Sequence, residues 1–221
     1  MSLVSGRSDY TRGTLTESEA PGDPLTLFEG WLAAADAAGI DEPNAMTLAT
    51  ADAAGRPSAR IVLLRGFDRS GFVFYSNYQS RKGRELEANP RASLVFYWPA
   101  VERQVRIDGV VTRVSAAESD AYFHSRPVAS RRGAHASPQS EVLASREPLE
   151  RRMAELEGQW PEGDIPRPEH WGGYRVAPDA IEFWQGRASR LHDRLLYSRV
   201  GTSGDAGTGG GQAWSLSRLS P

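Results

Sequence analysis

The sequence predicts a mainly β chain with peripheral helices, an α+β fold whose strands pair antiparallel and close into a small barrel. Three observations carry this. Five runs rich in Val, Ile, Leu, Phe and Tyr crowd between residues 45 and 114. The turns joining them are short, whereas parallel pairing needs crossovers of a dozen residues or more. At 221 residues the chain reads as one domain able to bury a real core, and closely spaced short strands protect their edges by closing on themselves.

Residues 1–22 hold Gly, Ser, Thr and Pro with little periodicity and read as a flexible N-terminal arm, leaving 23–221 as the single domain. Asp23-Pro24 supplies an N-cap and a proline at the first helical position. Leu27, Phe28, Trp31, Leu32 and Ala35 then share a face, and Gly39 ends the helix. Strands follow at Ala45–Thr50, Ser58–Phe67, Gly71–Asn77, Ala92–Trp98 and Gln104–Val114, separated by turn signals such as Asp52-Ala-Ala-Gly55, Asp68-Arg-Ser-Gly71 and Asn89-Pro90. A short helix opens at Ser80. Ser115-Ala-Ala-Glu118 is a capping box starting a helix that runs to about Ser125. Residues 126–140, with Pro127, Gly133 and Pro138, read as a polar loop, and 147–159 as a charged amphipathic helix. The final strands are expected at Gly173–Ala177, Ala180–Trp184, Leu195–Arg199 and Ala213–Leu219. Between the last two, 201–212 carries six glycines and reads as a disordered hairpin tip.

Composition excludes several function classes. The net charge is −2, with 26 Lys and Arg against 28 Asp and Glu, which argues against a nucleic-acid binder. The absence of cysteine removes disulfides, thiolate metal sites and Cys nucleophiles. The first 22 residues lack the apolar run of a signal peptide, and no segment approaches the roughly 20 apolar residues that span a bilayer. A soluble, cytoplasmic protein with no membrane partner is expected. The four histidines show no ligand spacing, so no metal site is indicated. Neither a Gly-x-Ser-x-Gly elbow nor a Rossmann glycine fingerprint occurs.

Cations at special positions are more informative. Ser80-Arg81-Lys82 follows an apolar strand and opens a helix, where backbone N–H groups and two adjacent cations suit a phosphate dianion; a solvated first turn is the plainer alternative. Arg60 and Arg65 flank Ile61-Val62-Leu63-Leu64, and a period of two points them to opposite faces unless a bulge intervenes. Tyr122, Arg126 and Ser130 place a phenol, a guanidinium and a hydroxyl at a helix end, a set able to hold a phosphate. His192 sits between Arg190 and Arg194, whose like charges, if close, would hold it neutral. Of six tryptophans, Trp98, Trp171 and Trp184 lie near Gly or Pro loops, where an indole walls a flat ligand or simply packs.

These residues, with Arg103-Gln104-Val105, Gln139-Ser140, Trp171-Gly-Gly-Tyr174 and the block Glu182-Phe-Trp-Gln-Gly186…Arg190-Leu-His-Asp-Arg194, resemble the pyridoxine/pyridoxamine 5′-phosphate oxidase family in order and spacing. The resemblance runs from about Arg7 to Pro221. It implies a homodimeric FMN-binding split β-barrel with sites in the subunit interface. It assigns FMN to Arg60, Ile61, Val62, Leu63, Leu64, Arg65, Tyr75, Ser76, Arg81, Lys82, Gln104, Gln139, Ser140, Trp184 and Arg194. It places the substrate phosphate at Arg65, Tyr122, Arg126 and Ser130, and sets Arg190 and His192 against the substrate ring as the catalytic pair. Arg7 and Tyr10 match an N-terminal lid. The implied reaction passes a hydride from C4′ of pyridoxine or pyridoxamine 5′-phosphate to FMN, which O2 reoxidises with release of H2O2.

Of three departures, the Gly-rich insert at 201–212 falls in a hairpin where family members vary in length, and the other two bear on the site. Position 65 is Arg where the family usually has Lys, and Arg131, Arg132 and His135 replace Gln, an aliphatic and Trp beside the expected substrate pocket. That loop would suit a related oxidase of phenazine-type precursors, although the phosphate-binding trio argues for the B6 vitamer. A non-catalytic flavin, haem or pyridoxal-phosphate binder is the third reading, against which Arg190 and His192 speak.

Overall fold

The computed structural model describes residues 9–161, 163–201 and 213–221. Among the described residues, nine strands form one antiparallel sheet: β1 Ala45–Ala51, β2 Pro57–Leu63, β3 Gly66–Asp68, β4 Gly71–Asn77, β5 Arg91–Trp98, β6 Arg103–Arg113, β7 Trp171–Gln185, β8 Asp193–Arg199 and β9 Trp214–Arg218. Their order is β2-β1-β5-β6-β7-β4-β3, with β8 on β7 and β9 on β8. The sheet curls into the expected split barrel. Five α-helices accompany it: α1 Pro24–Ala37, α2 Arg81–Ala88, α3 Ala116–Ser125, α4 Val128–Ala136 and α5 Glu147–Gln159. None of the described helices is long and apolar enough to cross a membrane.

Helix α1 buries the predicted face. The Asp23 carboxylate accepts from the Leu25 amide at 3.0 Å, and Phe28, Trp31 and Ala35 turn inward. Phe28 is enclosed by Phe67, Phe72 and Phe96, with ring centroids at 5.0, 5.0 and 5.1 Å. Each fully buried aromatic side chain here contributes about 2–3 kcal/mol of apolar transfer. Trp98 belongs to this core, 1 % exposed, with its indole N–H donating to the Pro43 carbonyl. A ligand-facing role for Trp98 is thereby corrected.

Three expectations about elements also change. The run 58–67 is two strands: β2 pairs with β1, while β3 pairs with β4. The chain changes partners at Leu64 and Arg65, whose amides donate to Asn44 and Val73 carbonyls. The two strands expected around Pro178 are one, β7, because the register shift between Asp108 and Gly109 leaves Asp179 unopposed. A bulge tolerates proline within a strand. Gly109 is required opposite it, since a Cβ there would lie 2.1 Å from the Ala177 carbonyl oxygen. Finally, 128–136 is helix α4 and not loop. Gly133 lowers its intrinsic helix preference by about 1 kcal/mol, but Arg131, Arg132 and His135 fasten it to carbonyls of Gly163, Trp160 and Pro166.

Part of the N-terminal arm lies along the barrel. Leu15 is buried, its amide donates to Asp193, and Arg218 donates to the Leu15 carbonyl and to both Glu17 carboxylate oxygens. Arg7 and most of the Gly-rich stretch, 202–212, fall outside the described residues.

Candidate active site

A cleft of about 490 Å³ opens between the β2–β3 corner, β4, α3 and α4. Ile61, Val62, Leu63 and Arg65 form one wall, and Tyr75, Ser76 and Lys82 line it from β4 and α2. Tyr122, Arg126, Ser130 and Gln139 complete the predicted residues present. Arg65 lines the cleft, while Arg60 does not and donates to the buried Glu85 instead.

At one end, Ser80 caps α2 by accepting from the Gly83 amide, and Lys82 Nζ donates to Ser76 Oγ at 3.0 Å and Gln139 Oε1 at 3.1 Å. Ser140, exposed in a left-handed conformation at φ 75°, turns the chain that holds Gln139 there. Burial first, and then the Arg60 charge, lower the Lys82 pKa to about 8. Behind this corner lies a carboxylate that sequence reading passed over. Glu85, 5 % exposed, accepts from Thr50 and Ser58 hydroxyls at 2.5 and 2.6 Å, from Arg60 at 3.1 Å and from Arg81 Nε at 2.8 Å. Burial raises its pKa, but these hydrogen bonds outweigh burial and hold it at about 2.

At the other end, Tyr75, Tyr122 and Trp171 stack, with Tyr75 and Tyr122 centroids 3.8 Å apart and Tyr122 and Trp171 at 6.2 Å. The Arg126 guanidinium lies 4.6 Å from the Trp171 ring centroid. Its Nη1 is buried without a hydrogen-bond partner, and burial lowers its pKa, with the Arg65 charge adding to the effect. A buried N–H left without an acceptor is costly, and on this half-buried guanidinium it suits an incoming anion. The spacing of α4 explains why Arg131, Arg132 and His135 leave it alone. Ser130, Gly133, Ala134 and Ser137 face the cleft, whereas those three bind the 157–166 segment behind it. Arg131, Arg132 and His135 therefore lie outside the cleft, which corrects their expected bearing on substrate, whereas the Arg65 departure lines it.

The remaining predicted residues gather elsewhere on the protomer. Cross-strand register sets Gln104 opposite Trp184 and Trp184 opposite Arg194, so β6, β7 and β8 present the three in one row. Arg194 is held by the buried Glu182 at 2.7 Å. His192 lies 4.5 Å from the Trp184 ring, and its Nδ1 accepts from the Arg187 amide, leaving Nε2 to carry the proton of a neutral ring. Tyr10 packs on both rings at 5.7 and 5.6 Å, over Gly186, where a Cβ would meet the Tyr10 ring at 2.7 Å. Arg190 is exposed with φ 63°. Leu64 is in the core and lines neither group.

Residues 32–160 match a family model described as pyridoxamine 5′-phosphate oxidase, and 171–221 match one described as the pyridoxine 5′-phosphate oxidase C-terminal dimerisation region. The chain belongs to the pyridoxamine 5′-phosphate oxidase family. Relatives named pyridoxine/pyridoxamine 5′-phosphate oxidase include those of Paraburkholderia phymatum, 57 % identical over 99 % of both chains, and Thermosynechococcus vestitus, 61 % identical over 88 % of this chain and 92 % of that one. Among solved structures, PhzG from Burkholderia lata in complex with tetrahydrophenazine-1-carboxylic acid is 36 % identical, with a TM-score of 0.84 over 94 % of this chain and 98 % of that one. A pyridoxamine 5′-phosphate oxidase-related FMN-binding protein from Nostoc punctiforme shares the fold at TM-score 0.67 and 20 % identity, over 88 % of this chain and 97 % of that one.

Within this oxidase family fold, Trp171 lines the cleft as one of its two expected roles, and Asn77 and Ser137 line it beyond the residues expected from sequence. Trp171 had a signal, an indole beside Gly172-Gly173; Asn77 and Ser137 had none.

Proposed function

We propose that the chain oxidises pyridoxine 5′-phosphate or pyridoxamine 5′-phosphate to pyridoxal 5′-phosphate with FMN as cofactor, as a homodimer. The observation that carries this is the buried, unpartnered Arg126 Nη1 in a cleft that also offers Arg65, Tyr122 and Ser130. A phosphate dianion fits such a set, and a guanidinium matches two of its oxygens at once. The Lys82–Ser76–Gln139 corner and the α2 N-terminus fit the phosphate of FMN, and the apolar wall 61–63 fits a flat ring. When bound, FMN supplies the acceptor for the hydride leaving C4′, and O2 restores it. The protein supplies position and charge: Arg126 and its neighbours fix the substrate phosphate, and so hold C4′ in reacting geometry. His192, whose Nδ1 accepts from the Arg187 amide, would present its Nε2–H to the substrate as a hydrogen-bond donor.

One protomer keeps the cleft and the Trp184–His192 group apart, and the C-terminal region that carries the latter matches the dimerisation model. In the proposed dimer the His192 group of one subunit completes the cleft of the other.

Arg126→Ala is expected to raise KM for pyridoxine 5′-phosphate by roughly ten- to a hundredfold, the cost of about 1.5–3 kcal/mol for a lost charged hydrogen bond. Flavin content should stay constant, and steady-state kinetics beside flavin absorbance check both. Wild-type KM in the variant would place the substrate phosphate elsewhere and favour an unphosphorylated, phenazine-type substrate.

FMN binding should also depend on pH. A lysine with its pKa lowered to about 8 loses its charge as pH rises through that value, so FMN affinity falls above it. Between pH 7 and 9 the dissociation constant should rise roughly tenfold. Fluorescence titration of the apoprotein measures this, and a flat profile would remove Lys82 from the phosphate site.

A further inference from the structure

We propose that Glu85 is a positioning residue that sets the preference for phosphorylated over unphosphorylated flavin, by holding Arg81 at the head of α2. The inference rests on the FMN reading above and concerns a residue to which neither the sequence motifs nor the family resemblance gives a role.

Glu85 stands four residues after Arg81, so the two meet on one face of the helix. Ordinarily such a pair is solvated and weak. Here the carboxylate is buried against β1 and β2 and surrounded by donors on both oxygens. A buried carboxylate is poor evidence of stabilisation, since an apolar side chain of similar volume often serves the core as well. Its partners show a different use. Arg60 is spent on internal acceptors: Nη1 donates to the Leu48 carbonyl and Thr50 Oγ1, and Nη2 to Ser58 Oγ and Glu85. Arg81 is engaged only through Nε, and its two terminal nitrogens donate to no described residue. Glu85 thus fixes one edge of the exposed Arg81 guanidinium in the first turn of α2 and leaves its two terminal nitrogens open to a phosphate. The arrangement leaves a pre-set fork for a phosphate, and little of its ordering entropy remains to be lost on binding.

The test compares FMN with riboflavin, which lacks only the phosphate, by fluorescence titration of apoprotein. In Glu85→Gln the FMN dissociation constant should rise about tenfold or more, while that for riboflavin changes by less than about threefold. Arg81→Lys keeps the charge on an exposed side chain but loses the fixed fork, and should lower the same ratio. In an Arg81→Ala background, Glu85→Gln should add less than about twofold, because its effect passes through Arg81. Equal losses for both flavins would make Glu85 merely structural, and an undiminished effect without Arg81 would break the proposed route. Either result overturns the inference while leaving the FMN site intact. A wild-type protein that binds riboflavin as tightly as FMN would overturn the phosphate corner itself, and Glu85's role with it.

Discussion

Arg81→Ala combined with Lys82→Ala strips the protein of FMN. Lys82 contributes a half-buried ammonium already oriented by Ser76 and Gln139, and Arg81 contributes a guanidinium steadied by Glu85. Two charge-assisted contacts to a phosphate are together worth about 3–6 kcal/mol, or roughly a hundred- to ten-thousandfold in affinity. The fold should survive, because neither side chain belongs to the barrel core. Dialysis of dilute protein followed by flavin absorbance reads the outcome. Full occupancy in the double variant would mean that the head of α2 holds no phosphate.

His192→Ala should slow anaerobic flavin reduction by about 10²–10⁴-fold at saturating substrate, the usual contribution of a positioned acid–base group. Stopped-flow measurement with FMN content matched to wild type separates this from loss of cofactor. Arg190→Ala should impair substrate binding and reduction together. Unchanged rates in both variants would leave the Arg190–Arg194 segment a strand entry with no chemical role. The same variant tests the shared site. If His192 serves the partner's cleft, Arg126→Ala and His192→Ala dimers exchanged into mixed dimers carry one intact site, and random mixing should recover about a quarter of wild-type activity. No recovery would place both residues in one subunit's site.

Much of this architecture was legible in the chain because its signals are local. Asp23-Pro24 marks the start of α1, and Ser115 accepts from the Glu118 amide as its capping box requires. Ser80 likewise caps α2. What escaped reading depends on distant partners. Helix α4 contains a glycine between two prolines, and its support comes from carbonyls some 30 residues onward. The break at Leu64 and Arg65 reflects a change of strand partner, which alternation within one run does not reveal. Pro178 read as a strand end because only the β6 register shows that it sits at a bulge.

The site divides in the same way. The cationic clusters were visible as residue types, but a period of two could not place Arg60 and Arg65, because β2 ends at Leu63 and Arg65 lies past the change of strand partner. That Arg60 points to a buried Glu85 was not visible, because that carboxylate is enclosed by Thr50 and Ser58 from β1 and β2. The row Gln104–Trp184–Arg194 arises from the register of three strands, two of them about 80 residues apart in sequence. Arg131, Arg132 and His135 looked like substrate-pocket changes until the pitch of α4 turned them to its other face.

The most direct test of the central claim is the absorbance of the bound flavin under anaerobic conditions after adding pyridoxine 5′-phosphate. The flavin band should bleach with the phosphorylated vitamer at concentrations where unphosphorylated pyridoxine leaves it unchanged. Admission of air should restore the band, with pyridoxal 5′-phosphate and H2O2 as products. A flavin that stays oxidised with both vitamers, or bleaches equally with both, would contradict the account.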